Sequence, residues 1–266
     1  EDVRVHAQFD IFDNLVLGST PNGMVSGYKD PHVPLTAFSD TQAPPIAGRN
    51  SRAPAILVKR AWAEVGTPFG QLRFGRMPSQ WGMGLLANNG SCADCNYGDS
   101  ADRIMFVTKL VGHLIGAGYD FASSGPTSLS VVGGAPYYDG QAIDLEPLDD
   151  VNQWVFVVGK IDPDEVIQDK VEQGELVLNY GAYVVYRKQD FDYGSTYDLG
   201  SSSVGTYASN MVERNAWAVI PDIWFKLLYK KFYLELEGVL IAGKIENTSN
   251  ENKEDPLDIM QFGWAL

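Results

Sequence analysis

The residues of this chain best placed to do chemistry recur at every second position of short alternating segments and form no compact motif. Arg4, His6, Gln8 and Asp10 alternate with apolar neighbours, and so do Arg103, Lys109 and Asp120. Further along, Glu175, Asn179 and Arg187, then Asp222, Lys226, Glu235 and Glu237, follow the same rhythm. A β-strand sends successive side chains to opposite faces, so each set shares one face and carries both signs of charge. Arg60 and Arg73 join them from a hairpin in which Lys59, Arg60, Arg73 and Arg76 would form a basic ladder, with a bulge at Gly75 to reconcile their spacing. Ionised groups that face an interior must be hydrated or paired, which leaves two readings. One is a water-filled passage ringed by charge, and the other is an interior cross-linked by ion pairs.

A second concentration of polar groups lies between Ser91 and Asp102, where Asp94, Asp99 and Asp102 gather with Asn96 around Cys92 and Cys95. Carboxylate and amide oxygens are hard ligands that suit calcium, although the EF-hand spacing is not met. The two cysteines read as a short disulfide, provided that the protein is exported to an oxidising compartment, and as free thiols otherwise. Zinc would need two more ligands, and a c-type haem would need His where Asn96 stands. There is no GxSxG, no glycine-rich phosphate loop and no HExxH, and the histidines are only His6, His32 and His113. No catalytic residue and no resident cofactor are assigned, and the chain is not read as an enzyme.

The elements that must position these residues are strands. Alternation is read over Val3 to Gly18, Ala55 to Gly66, Gln71 to Met77, Arg103 to Val111, Leu114 to Ala122 and Val151 to Lys160. It resumes over Glu175 to Asp190, Arg214 to Leu228, Phe232 to Ile245 and Leu257 to Leu266. Tight turns are expected at Thr67 to Gly70, at Gly112-His113 and at Tyr229 to Lys231. Asp162-Pro163-Asp164-Glu165 reads as a helix start, with Asp162 as N-cap. The connections alternate between long and short without a break. That pattern predicts one domain over 1–266, an all-β, antiparallel, up-and-down transmembrane barrel of about ten strands with long outer loops and short periplasmic turns. An even strand count places both termini on the periplasmic side. A soluble all-β domain would alternate as well, but nothing in such folds demands long loops at one end only.

Composition narrows the class further. No run of eighteen apolar residues is present, so a membrane-crossing helix is excluded. No basic start followed by an apolar stretch is present, so an exported protein with this sequence has already lost its signal peptide. The net charge of -14 argues against nucleic acid, whose phosphates need a basic stripe. Seventeen of the acidic residues and only four basic ones fall in the five long connections, which therefore hold nearly all of the net charge. Trp62, Trp81, Trp154, Trp217, Trp224, Tyr229, Phe232 and Trp264 are expected at the two membrane interfaces.

The stretch from Arg60 to Arg76, RAWAEVGTPFGQLRFGR, resembles the strand-turn-strand of Gram-negative porins, in which an Arg-x-aromatic strand is followed by Phe-Gly-x-Leu-x-x-Gly-Arg. Asp13 to Pro21 and Gln80-Trp81-Gly82-Met83-Gly84 look like a porin-like outer-membrane family of myxobacteria and their relatives, over roughly the first 120 residues. General porins have more strands, and Leu266 stands where a terminal aromatic is usual, which leaves room for a barrel larger than ten strands. The resemblance implies a channel in the bacterial outer membrane for passive diffusion of small hydrophilic solutes, with cations enriched near the mouth by acidic loops. Outer-membrane lipids and lipopolysaccharide are the implied surroundings, oligomers are compatible with it, and nucleic acid is not a partner. The alternative is a closed or plugged surface barrel that acts in recognition, adhesion or envelope structure.

Overall fold

Alternation of apolar and polar residues over ten segments yields ten strands. A computed structural model describes residues 2–11, 56–91, 98–125, 147–193, 211–249 and 254–266. Cys92, Asp94, Cys95, the Asp13 to Pro21 motif and most of the long acidic connections lie outside those residues. The strands are β1 (Val3–Ile11), β2 (Ile56–Thr67), β3 (Gly70–Pro78), β4 (Ser100–Leu110) and β5 (His113–Ser123). They continue with β6 (Val151–Lys160), β7 (Val177–Tyr193), β8 (Met211–Tyr229), β9 (Phe232–Ile245) and β10 (Leu257–Ala265). All belong to one sheet in sequence order, and the register of β3 through β10 is antiparallel throughout. Among the described residues no ladder joins β10 to β1, so the sheet is open. The chain falls into two compact units, residues 5–62 and residues 1–4 with 63–266.

The short connections are as tight as expected. β4 and β5 are joined through Val111 and Gly112 with φ of 50° and 76°, the pair of positive values that a type I′ hairpin demands. The turn thus lies one residue earlier than Gly112-His113. Between β6 and β7 sits the helix α1 (Asp164–Glu172), with Asp164 and Glu165 in its first turn. Its N-cap is Pro163 with no side-chain cap, and Asp162 instead pairs with Lys170 at 2.8 Å.

Within residues 63–266 the two faces of the sheet differ sharply. The outward face exposes Ile104 and Phe106 on β4, Ile115 and Phe121 on β5, and Trp154, Phe156 and Val158 on β6. Tyr180 on β7, Trp217 and Ile223 on β8, Leu236 on β9, and Met260 (81% exposed), Phe262 and Trp264 on β10 complete it. The inward face buries Met105, Val155, Val157, Tyr183, Val185, Ile220, Trp224 and Val239 in one apolar cluster together with Trp81 and Ala87. In the other unit, Val5, Phe9 and Ile11 on β1 and Ile56 and Val58 on β2 are exposed.

Candidate functional site

Residues directly opposite one another on neighbouring strands touch, and a row of four polar side chains crosses the inner face in this way. Arg103 faces Asp120, Asp120 faces Gln153, and Gln153 faces Arg187. Arg103 donates to both Asp120 oxygens, Nε to Oδ1 at 2.5 Å and Nη2 to Oδ2 at 2.8 Å, and Nη2 also donates to the Tyr183 hydroxyl at 2.9 Å. Gln153 Nε2 donates to Asp120 Oδ2 at 2.5 Å, and Arg187 donates to Gln153 Oε1 from Nε and Nη2 at 2.9 and 2.8 Å. Asp120 is 1% exposed. A carboxylate at that depth is tolerable because both of its oxygens meet donors, three in all, two of them from a guanidinium.

The inner face of β7 to β9 is covered by the connection between β3 and β4. Trp81, 4% exposed, stacks on Tyr183 with centroids 5.4 Å apart and meets Trp224 edge-on at 6.3 Å. Its Nε1 donates to Asp222 Oδ1 at 3.1 Å. The amides of Met83 and Leu85 donate to Glu237 Oε2 at 2.5 Å and Oε1 at 3.1 Å. Gly82 has φ of +49°, and a Cβ there would fall 2.7 Å from Glu237 Oε2 and 2.9 Å from Trp224 Cδ1, so only glycine lets the backbone approach this closely. The segment closes on itself through Trp81 N to Ala87 O at 3.0 Å. It is tied to the start of β4 by Asp99, which accepts from Asn88 N at 2.8 Å and donates through its own N to Asn88 O at 2.6 Å. Residues 79–91 contain no ionisable side chain, so the acids of the wall are met by neutral donors alone.

In the unit of residues 5–62, Arg60 donates to Gln8 Oε1 at 3.0 Å and His6 stacks flat on Trp62 with centroids 4.7 Å apart. His6, Gln8 and Arg60, expected in the interior, are thus brought together across β1 and β2, while Trp62, expected at a membrane interface, is half-buried and stacks on His6. Arg4 is exposed and pairs with Asp2 at 2.7 Å, and the Asp10 side chain lies outside the described residues. Lys226 lies 3.7 Å from Glu235, which also accepts from Trp224 Nε1 at 2.8 Å. Asn179 is buried and accepts from Asp162 N at 3.2 Å, holding the start of the α1 connection. Lys109 and Glu175 are exposed near the tight-turn end, and Glu175 precedes β7.

Three expectations change. The basic ladder splits, because β3 pairs with β4 without a register shift and residues three apart on a regular pleat face opposite ways. Arg73 faces inward, 3.5 Å from Glu64, whereas Arg76 faces outward and forks onto Asp102 at 2.8 and 2.6 Å. Asp102 is thus engaged on the outer face and Asp99 ties residues 79–91, while Asp94 lies outside the described residues. Among those residues no group of three potential metal ligands occurs. Trp81 and Trp224 are interior, not interfacial, because Trp81 enters with its segment and Trp224 shares the even-numbered inward face of β8 with Asp222. Trp154, Trp217, Tyr229, Phe232 and Trp264 do lie exposed.

No protein-family model and no curated protein matches the chain. Gln153, Tyr183, Trp81 and Trp224 are the interior residues that alternation alone had passed over. For Gln153 and Tyr183 the signal was available, since both share parity with Asn179 or Arg187 across the register. Trp81 carried no such signal, because it belongs to no strand.

Proposed function

We propose that the chain forms an outer-membrane β-barrel of the porin kind, through which small hydrophilic solutes diffuse passively past a constriction made by residues 79–91. The observation that carries this reading is the outward face, which exposes apolar side chains on every strand from β4 to β10 and is bounded by polar residues. On β6 it runs between Asn152 and Lys160, and on β8 from Trp217 to Tyr229. At about 3.4 Å per residue and a tilt near 45°, these stretches rise ~19 and ~29 Å, which brackets the ~25 Å apolar band of outer-membrane barrels. Tyr119, Phe121, Trp154 and Tyr186 are in contact near the long-connection end, as an interfacial girdle would be. Beyond them stand Arg76 with Asp102 and Lys188 with Asp190, groups suited to lipid and lipopolysaccharide headgroups. An open edge is untenable in lipid, where backbone donors find no water, so this reading requires β1 and β10 to be paired with each other or through further strands.

The acidic outer connections would enrich cations at the mouth and give the channel a cation preference. Calcium bound by those connections and a Cys92-Cys95 disulfide remain proposals that rest on the sequence. A second reading, a closed barrel acting through its surface, is favoured by one observation: Val155, Val157, Val185, Ile220 and Val239 form a buried apolar cluster on the inward face. Single-channel conductance of the folded protein in a planar bilayer, with reversal potential under a salt gradient, separates the two. Discrete steps and a cation-selective reversal are expected. A silent bilayer from protein shown to be folded and inserted would sink the channel and leave the closed barrel.

A further inference from the structure

Asp222 and Glu237 stand on the inner face as diagonal neighbours, since Asp222 is opposite Val239 and Trp224 is opposite Glu237. Diagonal positions across a ladder bring long side chains within reach of one another, and the two acids are 0% and 2% exposed. Among the described residues every donor to them is neutral: Trp81 Nε1 to Asp222 Oδ1, and the amides of Met83 and Leu85 to Glu237. Asp222 Oδ2 is buried with no hydrogen-bond partner. The charged groups nearby are committed elsewhere. Tyr183, opposite Asp222 on β7, accepts from Arg103, whose guanidinium forks onto Asp120. Lys226 on β8 lies by Glu235 of β9, and residues 79–91 bring no ionisable side chain. On β10, Gly263 and Ala265 face Val239 and Glu237.

Two carboxylates side by side, buried and with no cation beside them among the described residues, would repel one another and leave Asp222 Oδ2 without a partner. A single proton removes both penalties, because an O–H between the groups supplies the missing donor and halves the charge. We propose that Asp222 and Glu237 share one proton, and that this pair is the latch holding residues 79–91 against the wall. Glu237 grips the segment through two backbone amides and Asp222 through the Trp81 indole. The proton makes their burial beneath the segment tolerable. Loss of the proton would favour release of the segment, since release returns both acids to water. The inference does not depend on whether the interior conducts.

Infrared difference spectroscopy of the full chain folded in lipid vesicles tests it directly. At neutral pH the wild type is expected to show a protonated carboxyl stretch that shifts in heavy water and is lost in both D222N and E237Q. In each variant a neutral amide replaces one acid, so the repulsion that retains the proton is gone. The amides preserve shape, and quenching of tryptophan emission checks that the segment is in place. A wild-type spectrum containing only ionised carboxylate would overturn the proposal, as would a protonated band that survives both substitutions.

Discussion

Trp81 is the side chain through which a connection outside every strand becomes part of the interior, so truncating it should be costly. Trp81→Ala deletes a ring that is 4% exposed and stacked on Tyr183 and Trp224. Large-to-small changes of buried Trp cost about 3–5 kcal/mol, because the neighbours close only partly over the cavity. The same change removes the only donor to Asp222 Oδ1 among the described residues, and leaving a buried acceptor unsatisfied costs about 1–3 kcal/mol. The two contributions overlap, since both depend on the segment staying in place, so a loss of at least ~3 kcal/mol is expected rather than their sum. Trp81→Phe keeps most of the packing and loses the donor, and should fall between wild type and Trp81→Ala. Equilibrium urea unfolding of the full chain in lipid vesicles measures both. A Trp81→Ala protein within about 1 kcal/mol of wild type would refute the reasoning, since it would mean that the ring is not packed against the wall. In the channel reading, Trp81→Ala should also raise the unit conductance, because a loosened segment constricts less.

Two further substitutions test the two faces separately. Arg103→Met strands Asp120 with Gln153 as its remaining side-chain donor, and should cost about 3–5 kcal/mol in the same unfolding assay, whereas Arg103→Met combined with Asp120→Leu should cost clearly less. A double variant no more stable than the single would show that the pair is not the source of the cost. Phe156→Arg places a cation on the outward face of β6 and should cost about 2–4 kcal/mol in vesicles if that face meets lipid. Unchanged stability there would remove the membrane reading of that face.

Much of this molecule is legible from alternation alone. Val151 to Lys160 and Phe232 to Ile245 were bounded correctly to the residue, because a strand's period of two is a local property that neighbours in the chain impose on one another. The same parity assigned Asp120, Asn179, Asp222 and Glu237 to the inner face. Where single positions escaped, the cause was again local. Tyr183 and Val185 are largely apolar residues on a face judged polar from Glu175, Asn179 and Arg187, and the mixture is visible only when register sets them beside Val155, Val157 and Ile220. The apparent basic ladder failed for the converse reason: proximity in sequence between Arg73 and Arg76 says nothing about which face each occupies until the pleat is followed.

The sequence by itself determined the strands, their faces and the short turns, since backbone geometry and hydrophobic periodicity are written residue by residue. Which groups meet across the interior was decided by tertiary structure. Trp81 and Asp222 are separated by 141 positions, and Met83 and Glu237 by 154. Nothing in a period-two pattern ranks one such pairing above another. They are selected because residues 79–91 lack charge, carry a glycine at Gly82 that tolerates close approach, and find on β8 and β9 two acids for which burial without donors would be too costly.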